Sequence, residues 1–133
     1  MPHSPSRWRA PRAAFPFTAF VILMVAAACV PQTTLPADCD AQSVTRQATL
    51  VGERLSPEQI DICSGQEVQF EITVDADGVL HLHGYDDAAP AQAVEAGQTV
   101  TLAFTAARAG QFVIEFHDAT ADREIGILTV HER

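Results

Sequence analysis

Between residues 66 and 74 the chain alternates: Val68, Phe70, Ile72 and Val74 are apolar, and the residues between them are polar. A two-residue period belongs to a strand with one buried face, because successive side chains of an extended backbone leave opposite sides. The pattern returns in Val100, Leu102 and Phe104, and again in Phe112, Ile114 and Phe116. Asp75-Ala76-Asp77-Gly78 is turn chemistry. The strand after it, Val79–His83, places Leu80 and Leu82 on one face and His81 and His83 on the other. Ala48–Val51 and Gln59–Cys63 read as weaker strands parted by Ser56-Pro57, and a last strand runs from about Ile125 to Val130. No window carries a helical period. About seven short strands punctuated by Gly and Pro predict an all-β, antiparallel β-sandwich over residues 44–133.

The first 28 residues follow a different logic. Arg7, Arg9 and Arg12 precede an uncharged stretch, Ala13–Ala28, with an apolar centre from Phe17 to Val25 and a small-residue end, Ala26-Ala27-Ala28-Cys29. A basic start, a short apolar centre and small residues before a cleavage point make a secretory signal peptide. The apolar stretch is about 16 residues, short of the about 20 that a spanning helix needs. Three alanines followed by Cys29 resemble the lipobox of bacterial lipoproteins, in which the cysteine becomes the lipidated first residue, although Ala26 stands where leucine is usual. Ordinary cleavage after Ala28, leaving a soluble exported protein, and an uncleaved anchor are the competing readings. All three place the body in a bacterial envelope, on the periplasmic or extracellular side, and lipidation would tether it to the membrane.

Removing that leader changes the charge. All eight basic residues are arginine, and the full chain carries −9. Past Cys29, five arginines face 17 acidic residues, a net of −12. Such a body excludes nucleic acid as a partner, since phosphates need a basic surface. Residues 29–43, with Pro31, Pro36 and many small polar residues, read as a linker behind the lipidated cysteine. With Cys29 lipidated, Cys39 and Cys63 are the two remaining thiols. In an oxidising compartment an even pair reads as a disulfide, with two separate thiols as the alternative.

Several landmarks carry a resemblance: Ser64-Gly65-Gln66-Glu67-Val68, His83-Gly84-Tyr85, Ala96-Gly97-Gln98, Ala109-Gly110-Gln111-Phe112 and the closing Gly126-Ile127-Leu128-Thr129-Val130. In this order they are similar to the cupredoxin-like family, the Greek-key sandwiches that include the blue copper proteins. The resemblance covers about residues 44–131 and implies a Greek-key arrangement of the strands. His83-Gly84-Tyr85 looks like the run that supplies the first copper ligand in several cupredoxins. The departures are equally specific. The family's cysteine position falls on Phe116, no cysteine follows Cys63, and the only methionines, Met1 and Met24, are in the leader. Asp122-Arg123-Glu124 occupies the loop where a further histidine ligand is expected. A blue centre needs a thiolate, so these departures argue against electron transfer of that kind.

A histidine constellation remains. His81 and His83 leave the same face of one strand, and His117 on a neighbouring strand could complete a site for copper(II) or another divalent ion, with Asp118 as a carboxylate partner. The geometric objection is that His117 points outward if Phe112, Ile114 and Phe116 point inward. No nucleophile motif or phosphate-binding loop accompanies the histidines, so the sequence predicts no enzyme. Two functions compete. One is a tethered, exported domain that binds copper or another divalent metal for handling or storage. The other is a metal-free sandwich serving as an envelope binding or structural module.

Overall fold

The computed structural model describes residues 34–133, and their alternating pattern becomes nine strands. The leader and the proposed lipidation site at Cys29 lie outside the described residues. The strands are β1 (Ser43–Val51), β2 (Arg54–Ser56), β3 (Gln59–Cys63), β4 (Glu67–Thr73), β5 (Gly78–Leu82), β6 (Gln92–Val94), β7 (Thr99–Thr105), β8 (Gly110–His117) and β9 (Asp122–His131). They form two sheets, a four-stranded one in the order β2-β1-β4-β7 and a five-stranded one in the order β3-β9-β8-β5-β6. The two strands beyond the expected seven, β2 and β6, are three residues each and too short to show a period.

The chain changes sheet between β2 and β3, returns for β4, crosses again before β5, β7 and β8, and ends in the β8–β9 hairpin. These crossings correct one expectation. The sandwich is not wholly antiparallel, because β1 runs parallel to β4 and β3 parallel to β9. Each parallel pair joins strands separated by a crossing to the other sheet, which lets the chain re-enter in the same direction.

Apolar side chains of both sheets meet in one core. Phe70, Ile72, Leu80, Leu82, Ile114 and Phe116 have no exposed surface. Burying such side chains stabilises the fold by about 1.5–3 kcal/mol each. The position that would carry a blue-copper thiolate is thus a core aromatic, Phe116, packed so closely against Gly78 that a β-carbon there would lie 2.6 Å from its ring and 2.6 Å from the His117 carbonyl. Only glycine lets β5 approach β8 at this point.

Part of the stretch read as a linker is docked on the sandwich. Cys39 and Cys63 form a disulfide, with Cα atoms 5.3 Å apart. Arg46 donates to both carboxylate oxygens of Asp38 at 2.8 and 2.9 Å, and holds the Asp38 pKa below its ordinary value. The buried Gln66 amide donates to the carbonyls of Asp38 and Ala41 and accepts the Cys63 N–H at 2.7 Å. A buried amide with all these bonds made is stabilising, whereas losing it would leave the Cys63 N–H without this partner.

Candidate metal centre

The same alternation that fills the core sets the chemistry of the opposite face. On β5, Leu80 and Leu82 point in, so His81 points out and His83, just past the strand, follows it. On β8, Ile114 and Phe116 point in, so Glu115 and His117 point out. The antiparallel register sets His81 opposite Glu115 and Val79 opposite His117. Side chains directly or diagonally opposed across such a pair lie within contact range. The objection raised by His117's direction disappears, because all three histidines face outward together.

The His83 N–H donates to the Val113 carbonyl at 3.0 Å, which carries the β5–β8 pairing one residue past the end of β5. Gly84, at φ 83°, then turns the chain in the left-handed region that glycine tolerates. That turn returns Asp86, whose Oδ2 accepts the Gly84 N–H at 3.1 Å and whose Oδ1 lies 2.5 Å from His81 Nε2. The hydrogen bond to His81, foremost among several, lowers the Asp86 pKa.

Glu115 is the centre of the cluster. Its Oε2 lies 2.6 Å from His83 Nε2 and 3.3 Å from His117 Nε2. His117 Nδ1 lies 2.7 Å from Asp122 Oδ1, across the β8–β9 pair that sets these residues opposite each other. The His81 and His83 rings are 4.2 Å apart between centroids, and His81 and His117 6.1 Å. One ligand atom each from His81, Glu115 and His117 lies within 4.8 Å of the others. The side chains are partly exposed, from 19% at His81 to 46% at His83, so solutes reach the cluster without any opening of the fold.

This donor set of imidazole nitrogens and a carboxylate oxygen fits copper(II) or zinc(II). The carboxylates behind the rings have the usual supporting role at such sites. An imidazole whose Nδ1–H is donated to Asp122 keeps its Nε2 lone pair for a metal, and one whose Nε2–H is donated to Asp86 keeps Nδ1.

Of the sequence-based candidates, the fold brings His81, His83 and His117 together and leaves Asp118 aside. Asp118 Oδ1 accepts the backbone N–H groups of Thr120 and Ala121 at 2.7 and 3.0 Å as well as the Thr120 hydroxyl, and Oδ2 pairs with Arg123. These hydrogen bonds, with Thr120 foremost, lower its pKa to about 2. Asp118 closes the β8–β9 turn, and Asp122 supports His117 instead. Sequence reasoning missed Glu115 and Asp122. Glu115 was legible, since it stands two residues before His117 as His81 stands two before His83. Asp122 was not, because its place beside His117 depends on the hairpin register.

No family model and no curated protein matches the chain. Solved structures do match. They include the multicopper oxidase mgLAC (TM-score 0.54, 19% identity), a blue copper oxidase from Nitrosomonas europaea (0.52, 20%) and a copper nitrite reductase from the same organism (0.54, 15%). Each match covers 68% of this chain and 39%, 39% and 42% of the respective partner, so the chain spans about two fifths of their length. The fold is therefore cupredoxin-like. The comparison also corrects the expectation that the chain is no enzyme: the structures sharing this fold include two oxidases and a reductase. The absence of nucleophile and phosphate motifs does not exclude catalysis in a fold that also serves copper enzymes.

Proposed function

We propose that the chain is an exported, lipid-tethered protein of the bacterial envelope that binds copper(II) on the outer face of its five-stranded sheet. The convergence of His81, His83 and His117 on Glu115 carries this reading. The copper proteins that share the fold favour copper among the divalent ions, and the basic, apolar leader ending at Cys29 supports export and tethering. The role that suits an open, solvent-facing centre is holding copper and passing it on. Calorimetric titration of the full chain with copper(II) tests the reading. One ion per chain is expected, with affinity falling in acid, because a ligating imidazole must be neutral. Unchanged affinity in a His83→Ala, His117→Ala double variant would refute it.

A second reading has its own observation. Each histidine already has a carboxylate partner, Asp86 for His81, Glu115 for His83 and Asp122 for His117. The cluster could thus serve a metal-free envelope module by fixing the strand ends. That function predicts a melting temperature indifferent to excess copper(II) or zinc(II), since an ion that binds the folded state must raise it.

A further inference from the structure

We propose that this centre is selective for oxidation state: it holds copper(II) and gives the ion up as copper(I) on one-electron reduction. The inference rests on the copper(II) reading above and adds how the cargo is discharged. The donors that converge are the His81 and His117 imidazoles and the Glu115 carboxylate, with His83 paired to that same carboxylate. Copper(I) is a soft ion that favours thiolate and thioether sulfur, whereas carboxylate oxygen suits harder divalent ions. Residues 34–133 contain no methionine, and both of their cysteines are consumed in the Cys39–Cys63 bridge. The described body thus offers copper(I) no sulfur ligand. Asp86, Asp122 and Glu124 add negative charge on or beside this face, and Glu124 stands opposite Glu115 across β8–β9. Their field attracts a dication twice as strongly as a monocation at the same place.

The step balances simply. A small-molecule one-electron donor, ascorbate for example, passes one electron to copper(II). The bonds from copper to the Glu115 carboxylate and to the imidazoles break, with their electron pairs staying on oxygen and nitrogen. The ion leaves as copper(I) to an acceptor with thiolate or thioether donors. Partial exposure of all four side chains lets donor and acceptor reach the ion directly.

The test loads the full chain with copper(II), removes the excess, and adds the copper(I) chelator bicinchoninate under argon, with or without ascorbate. Copper stays with the protein without ascorbate, and less than about one tenth stays with it, given the preference of soft ions for soft ligands. Equal retention in both arms would overturn the proposal. Failure to load copper(II) at all would instead overturn the reading beneath it. A Glu115→Met variant, which sets a thioether among the histidines, is expected to retain about tenfold more copper under ascorbate. Loss as complete as in the unaltered chain would count against the proposal.

Discussion

The two sheets present outer faces built by one rule and filled with different chemistry. On the four-stranded sheet, Thr49, Thr73 and Thr99 form one row by register, and Gln47, Glu71 and Thr101 form the next. These groups satisfy each other: the Thr73 and Thr99 hydroxyls are 2.8 Å apart, and Gln47 donates to Glu71 at 2.7 Å. On the five-stranded sheet the same outward positions hold His81, His83, Glu115 and His117. There one carboxylate oxygen faces two imidazole nitrogens, and further carboxylates stand behind the rings. Both faces are partly exposed, polar and mid-sheet, so exposure and polarity do not separate them. Lone pairs that can converge on one ion do.

The sharpest way to break this comparison is to remove the carboxylate at the middle of each face. Glu115→Gln should weaken copper(II) binding by about 10- to 100-fold, the loss of the one charged ligand at the middle of the cluster. Glu71→Gln should leave the affinity unchanged within about twofold, because Glu71 lies on the other face. Equal effects in calorimetry would erase the distinction.

A smaller effect separates two aspartates of one turn. Asp122→Asn should cost about tenfold in copper(II) affinity, as expected for a partner that orients a ligating ring. Asp118→Asn should cost none. Asp118 should appear in acid unfolding instead. Its folded pKa, lowered to about 2 from an ordinary 3.8, makes a contribution that is complete above the ordinary value and is lost as pH falls from about 4 toward 2. Denaturant titrations across that range should show a shallower acid limb in Asp118→Asn, and an unchanged limb would contradict the assignment.

The smallest effect belongs to the threonine row. Exchanging Thr73 and Thr99 together for valine should change stability by no more than about 1 kcal/mol, the range of a cross-strand pair. Copper binding should stay the same, as equilibrium unfolding and titration of one sample can show.

The sandwich, its core and the histidine pair were legible because each depends on a period of two, which a sequence displays directly. Leu80 and Leu82 going in dictates His81 and His83 going out. The Cys39–Cys63 bridge was legible as counting. Register was not: that β8 lies beside β5, and that Asp122 meets His117, follows from strand order and a hairpin shifted by one residue at Ile114/Glu115. The two parallel pairs were hidden for the same reason, since sheet crossings leave no periodic trace. Asp118 seemed the natural carboxylate beside His117 because it is adjacent in sequence, yet successive residues leave a strand on opposite sides. Its neighbour in sequence is therefore the wrong neighbour in space.

The central claim is that an ion sits on the outer face of the five-stranded sheet and not in the core. Electron paramagnetic resonance of the full chain with one equivalent of copper(II) tests it directly. The account predicts an axial, non-blue spectrum with hyperfine coupling to several imidazole nitrogens, lost in the His83→Ala, His117→Ala double variant and kept in Thr73→Val, Thr99→Val. A spectrum without nitrogen coupling, or one indifferent to the histidine changes, would contradict it.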